Sequence, residues 1–298
     1  MSAAADGDKP GFVQLCHALS AVAKVIESRG ADANVDGMIH PRAIVHPKAK
    51  IGAGTVVGPD AIIDEHVEIG ANCEVRARAV ITGWTTIGDR NQIGYGAIIG
   101  AEPQDLTFKN EESYTRIGDD NVIREYVTIH RGAKAGTATV IGNGCYLMAN
   151  AHLAHNCKLG NQVILVNNVL LGGYVEVRDF AFLGGAAVVH QFARVGEYVM
   201  VRGQTRLGLD VPPYCMAVAT NSVCGLNRVG LKRRGYDRQR RHKIEQAYET
   251  YFWSGKNRVQ ALAALAVDAD DDTRLFTDFI RDTKRGICGA VRAADGGE

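Results

Sequence analysis

The chain has 298 residues, 46% hydrophobic and 22% charged, enough to bury one large domain or one domain with a smaller companion, which excludes a wholly disordered chain. A formal net charge of +1 gives no overall attraction to nucleic acid or to an anionic membrane. Seven cysteines, an odd count without metal-ligand spacing, point to reduced thiols of a cytoplasmic protein and not to a disulfide framework.

Residues 1–37 read as an N-terminal extension. Met1 to Pro10 carries Asp6 and Asp8 against Lys9, the wrong charge for a secretory leader. Phe12, Leu15, Leu19, Val22 and Ile26 share one face of an expected amphipathic helix. The apolar stretch is short and broken by Gln14, His17 and Ser20, so no transmembrane segment is expected.

From Ile39 onward an Ile, Val or Leu falls at every sixth residue through Val45, Ile51, Val57 and so on to Ile99. The phase returns at Ile117, Ile123 and Ile129, and again from Ile141 to Leu207. Four places after these come small residues, among them Ala43, Ala61, Cys73, Cys145, Ala151, Cys157 and Ala187. One aliphatic and one small inward position per six residues is the signature of a parallel β-helix built of hexapeptide repeats. Three hexads close a triangular coil, and coils stack at the inter-strand spacing of ~4.8 Å. Cys73, Cys145 and Cys157 are thereby assigned to packing. The repeat defines a β-helix domain over residues 38–213, interrupted by expected loops at 100–116 and 132–140. Loops ejected from a regular solenoid are where function concentrates.

The repeat stops at Pro212 and Pro213. From about Leu226 the period turns helical, with Ile244, Ala247, Tyr248 and Tyr251 on one stripe and Leu275, Phe276, Phe279 and Ile280 on another, giving a small α-helical C-terminal domain over 214–298. Between Leu226 and Lys243 stand eight Lys or Arg residues against Asp237 alone, a patch suited to an acidic partner. No base-reading motif accompanies it, so no nucleic-acid partner is expected.

Residues eighteen apart stack, which puts His155, Gly173 and Gln191 in one column. His155 lies between the inward Leu153 and Cys157 and therefore points out, solvent-accessible and able to accept a proton. His130, His152, His155 and His190 raise the alternative of zinc. Coil counting does not bring three of them onto one column, no Cys or carboxylate joins them, and no metal is expected.

Several segments resemble those of UDP-N-acetylglucosamine acyltransferases in order and spacing: Pro103-Gln104-Asp105-Leu106, Ile123-Arg124-Glu125, Val127-Thr128-Ile129-His130-Arg131-Gly132, Asn150-Ala151-His152-Leu153-Ala154-His155, Val189-His190-Gln191-Phe192, Asp210-Val211-Pro212-Pro213-Tyr214 and Gly230-Leu231-Lys232-Arg233-Arg234-Gly235-Tyr236. The resemblance covers roughly Ile39 to Gly286. It implies a left-handed coil, a cytoplasmic homotrimer, and transfer of an acyl group from acyl carrier protein to the 3-hydroxyl of UDP-N-acetylglucosamine, the first step of lipid A synthesis, without cofactor or metal. It assigns His155 as general base, the Gly173 N–H as oxyanion donor and Asp105 to the sugar. It places His130, His152, His190 and Gln191 along the cleft between subunits, Arg233 and Arg234 near the nucleotide phosphates, and Gly203 where acyl length is set.

Three positions depart from the family pattern. Asn156 stands where a carboxylate usually follows the histidine, Thr107 replaces a lysine and Tyr174 replaces a histidine. They leave open a paralogue acylating another UDP-amino sugar, including one with a 3-amino group. Another solenoid acyltransferase using acetyl-CoA, a zinc carbonic anhydrase and a non-catalytic scaffold are the other rivals.

Overall fold

The computed structural model describes residues 38–267 and 269–292; the helix expected over residues 12–26 lies outside them. From Ile44 to Leu207 the chain winds as a three-sided, left-handed parallel β-helix. Strands eighteen residues apart pair in register, Ile44 with Ile62 and Ile62 with Val80, then His152 with Leu170 and Leu170 with Val188. The first face runs from Ile44–Val45 to Arg206–Leu207, the second from Lys50–Ile51 to Arg194–Val195, and the third begins at Val56–Val57.

The aliphatic position of each hexad points into the prism, where Ile63, Ile81, Ile99, Leu153, Leu171 and Val189 are fully buried. Each such side chain contributes about 2 kcal/mol of transfer free energy, repeated coil after coil. The corners turn through left-handed residues, as at Asn150, Asn168, Ala186 and Gln204 along one edge. Asn accepts that conformation through local hydrogen bonds. Polar residues at the small inward position are paired along the axis: Asn91 Oδ1 accepts from the Asn121 N–H at 2.9 Å, and Asn121 Oδ1 from the Cys145 N–H at 2.8 Å.

Both ejected loops leave from the edge between the first and second faces, but they are shorter than the sequence suggested. Strands resume at Tyr114–Ile117 and Ala138–Ile141, with Thr115 and Thr139 buried inside. The aliphatic count skipped these inward threonines, although the alternation of Tyr114-Thr115-Arg116-Ile117 carries the strand.

The helical C-terminal region is joined to the prism more closely than the expected division at 213/214 implies. A hairpin of Cys215–Val218 and Ser222–Leu226, followed by Gly289–Ala290, extends the third face. Four helices lie between: α1 (Arg228–Arg233), α2 (Arg238–Phe252), α3 (Arg258–Leu265) and α4 (Asp271–Arg281). Asn227, Asp237, Asn257 and Asp270 cap their N-termini. Tyr214, fully buried, donates to Asp272 Oδ1 at 2.8 Å, and Arg194 of the second face bonds both Asp210 and the Phe279 carbonyl. All described residues belong to one compact unit.

Candidate active site

The edge between the first and second faces gathers the site. Loop 101–113, loop 131–137, His155, Gly173 and Gln191 leave it on five consecutive coils. His155 Nδ1 lies 3.0 Å from Asn156 Oδ1, and the same oxygen lies 2.9 Å from the Ala133 backbone nitrogen of the second loop. A backbone N–H can only donate, which fixes the oxygen of the buried Asn156 amide on this side. The imidazole must then donate through Nδ1–H, and its lone pair is on Nε2. Asn156 is held in turn: its N–H donates to Thr139 Oγ1 at 2.8 Å, and that hydroxyl donates to the His130 carbonyl at 2.6 Å. Its φ of +62° is one that Asn tolerates.

Nε2 faces Asp105, whose Oδ2 stands 3.9 Å away, too far for a direct hydrogen bond. The other carboxylate oxygen accepts from the Thr107 N–H at 2.9 Å and the Thr107 hydroxyl at 2.8 Å. These bonds, with the charge of a protonated His155 and of Lys134, hold the Asp105 carboxyl below its ordinary value. Thr107 thus stabilises the ionised carboxylate and leaves Oδ2 turned toward the imidazole.

Gly173 sits against the ring at Cε1 and Nε2. A Cβ there would lie 2.6 Å from His155 Cε1 and 2.7 Å from Nε2, so only glycine lets the ring occupy its place. The Gly173 N–H bonds no described residue. On the next edge, the corresponding amides of Ala71, Asp89, Asp119, Asn143 and Asn161 are all covered by an Asp or Asn side chain of the following coil. The donor beside His155 carries no such cover.

The expectation that His155 is solvent-accessible is corrected: its side chain is only 14% exposed. Asp105 covers one side, and Tyr174 packs edge-on with ring centroids 5.3 Å apart. Tyr174 stacks on Phe192 at 4.9 Å, making an aromatic shelf that continues up the edge.

His130 and His152 adjoin the site, edge to face with centroids 5.2 Å apart. His130 Nδ1 pairs with the Glu102 carbonyl and His152 Nδ1 with Thr128 Oγ1 at 2.8 Å. Burial lowers the pKa of both, helped by a histidine neighbour in each case, His155 beside His130 and His130 beside His152, so neutral rings are preferred. No group of three or more metal-ligating residues occurs among the described residues. His190 and Gln191 are exposed together two coils further along this edge, with His190 Nδ1 3.2 Å from the Gln191 carbonyl oxygen. Gly203 and the arginines lie elsewhere. Gly203 is on the edge between the third and first faces. Arg233 ends α1, and Arg234 follows it, its guanidinium 4.4 Å over Phe180 and donating to Gln162 Oε1 at 2.7 Å on the edge between the second and third faces. The support from Ala133 and Thr139 escaped the sequence reading, because nothing in spacing shows which amide a loop will bring to Asn156.

Residues 210–288 match a family described as UDP-N-acetylglucosamine O-acyltransferase, domain 2, and residues 138–173 match the bacterial transferase hexapeptide repeat. A protein of Syntrophobacter fumaroxidans named acyl-[acyl-carrier-protein]--UDP-N-acetylglucosamine O-acyltransferase is 41% identical over 254 residues, 84% of this chain and 98% of that one. One of the same name from Trichlorobacter lovleyi is 50% identical over 259 residues, with the same coverage. The solved UDP-N-acetylglucosamine acyltransferase of Campylobacter jejuni superposes with a TM-score of 0.81 at 35% identity, over 85% of this chain and 99% of that one. At this identity over nearly the whole length of its relatives, the chain belongs to the UDP-N-acetylglucosamine O-acyltransferase family.

Proposed function

We propose that the chain transfers an acyl group from an acyl carrier protein thioester to the 3-hydroxyl of UDP-N-acetylglucosamine, the entry reaction of lipid A synthesis, with His155 as general base. The observation that carries the residue assignment is the hydrogen-bond direction through Asn156, which leaves the Nε2 lone pair between Asp105 and Gly173. Asp105 Oδ2 holds the sugar while Nε2 takes the proton of the attacking hydroxyl. The hydroxyl oxygen bonds to the thioester carbon, and the oxyanion so formed accepts from the open Gly173 N–H. Collapse breaks the carbon–sulfur bond and returns the proton from imidazolium to the departing thiolate. The thioester is already activated, so no cofactor or metal enters.

The outward positions of the faces support a homotrimer. The second face carries Lys50, Glu68, Arg116, Lys158 and Glu176, a charged surface. The first carries Ile44, Ile62, Val80, Ile98, Leu170 and Val188, and the third Val122, Tyr146, Ile164, Phe182 and Met200. Two apolar faces meeting at one edge suit a closed ring in which the first face of one copy meets the third face of the next. Triangular prisms joined along that edge leave a wedge between neighbours, with His152 on one wall. The mouth of the wedge pairs the His155 edge of one copy with the Arg234 edge of the adjoining copy. Arg233 and Arg234 then reach a nucleotide diphosphate that neither approaches within one chain. The basic stretch of α1 and α2 faces an acidic carrier protein. No helix among the described residues is long and apolar enough to cross a membrane.

Mass spectrometry of UDP-sugars incubated with a panel of acyl carrier protein thioesters tests this directly. The expected product is UDP-N-acetylglucosamine bearing an O-linked acyl group. An N-acylated product from a 3-amino sugar, or turnover with acetyl-CoA alone, would replace the proposed substrates.

Asn156→Ala is expected to lower kcat by about 10²-fold, because the imidazole loses the acceptor that fixes its tautomer. It also leaves the Ala133 N–H unpaired, at a cost of about 1–3 kcal/mol in chemical denaturation. Asn156→Asp keeps the acceptor and restores both. Equal kcat in the alanine and aspartate variants would show that the amide does not orient His155.

A further inference from the structure

Asp105 stands on a loop outside the repeat, yet its carboxylate oxygen is aimed at Nε2, so something other than the hexads must hold the loop in place. Arg131 is the group placed to do so. Its side chain is only 6% exposed, on the coil directly below His155. Its guanidinium carbon lies 5.7 Å from the Trp84 ring centroid and 5.2 Å from that of Phe108. His66 stacks on Trp84 at 4.9 Å and 6°, so the Trp84 ring carries an aromatic stack as well as the cation. Phe108 closes the turn that carries Asp105: its N–H donates to the Asp105 carbonyl at 3.0 Å, while Thr107 grips the carboxylate. Arg131 Nη1 also reaches the Gly100 carbonyl at 3.4 Å and Nη2 lies 3.6 Å from Glu102, both at the stem of the same loop.

Arg131 makes few hydrogen bonds for a buried guanidinium. Nε is buried with no partner among the described residues, so the cation is held chiefly by the two rings. Such contacts strengthen when water is excluded. The room for it comes from Gly83, at φ +61°, where a Cβ would come within 3.2 Å of Arg131 Cδ and Nη1.

We propose that Arg131 is a positioning residue for the acceptor site: clamped against Trp84 and Phe108, it fixes the turn that presents Asp105 to His155 and so sets the affinity for the sugar. The proposal rests on the acyltransfer reading above for its kinetic consequences and on geometry alone for the clamp.

Two variants divide the question. Phe108→Leu removes the ring carried by the loop without touching the prism, and Arg131→Met removes the cation while keeping an unbranched chain. Each is expected to raise the KM for UDP-N-acetylglucosamine roughly tenfold, with the KM for acyl carrier protein thioester unchanged, and the double variant should do little more than either alone. Arg131→Lys, which keeps the cation, should recover part of the loss. Amide hydrogen exchange across 104–109 should speed up in both single variants, a readout that needs no turnover. Wild-type protein that fails to acylate the sugar would sink the substrate assignment and leave the exchange experiment standing. Unchanged exchange and unchanged acceptor KM in folded Phe108→Leu would overturn the clamp, as would equal shifts in both KM values.

Discussion

His155→Ala should lower kcat by about 10³-fold, within the range a positioned general base supplies, while the protein stays folded and sediments as a trimer. The fold should survive because the side chain contributes nothing to the prism core: the inward neighbours Leu153 and Cys157 are fully buried without it, and the chain pairing on either side is backbone to backbone. The loss should fall on kcat more than on the sugar's KM. In the proposed mechanism Nε2 acts on the hydroxyl only as its proton leaves, whereas Asp105, Gly173 and the wall at His152 would remain to bind substrate. Residual turnover should come from the open Gly173 amide and from alignment of the two substrates. Turnover near that of the wild type would exclude His155 as the base, and sedimentation of wild-type protein as a monomer would remove the wedge in which the base is placed.

Much of this arrangement is legible in the sequence because the repeat is a ruler. A period of six with three hexads per coil makes separation by eighteen a statement about contact, so His155 and Gly173 could be stacked before any coordinates, and Leu153 pairs with Leu171 as that count requires. The ruler fails where the chain departs from it. Asp105 comes within 3.9 Å of His155 although fifty residues separate them, because a loop two coils below folds up along the edge. Ala133 meets Asn156 from the second loop in the same way. Such contacts depend on how loops pack, and loop packing has no period. The hairpin at 215–226 was missed for a related reason: two prolines mark the end of hexads, but Met216 still pairs with Met200 through ordinary β-ladder bonds that need no repeat. Arg234 shows a third limit, since it lies on a different edge from His155 in one chain and reaches the site only if symmetry brings another copy beside it.

Gly173→Ala should reduce kcat by roughly 10²- to 10³-fold with little change in thermal stability, by displacing an imidazole and not by removing a donor. Alanine keeps the backbone N–H, so the oxyanion contact survives in principle. What changes is space: the added methyl would stand 2.6–2.7 Å from the ring, well inside van der Waals contact. The ring can swing away, but Asn156 fixes Nδ1 on one side and Tyr174 and Asp105 confine the others, so a swing breaks the 3.0 Å bond that sets the tautomer. Because the ring and not the backbone yields, the prism should melt close to the wild-type temperature. Gly289→Ala is the matched control, since a methyl there meets nothing within 4 Å and kcat should not change. The decisive comparison is the double variant. If Gly173→Ala acts by collision with His155, it should cost almost nothing once His155→Ala has removed the ring, and the two effects will be strongly non-additive. Additive losses would mean that the methyl harms something other than the imidazole, the oxyanion contact itself being the first to examine.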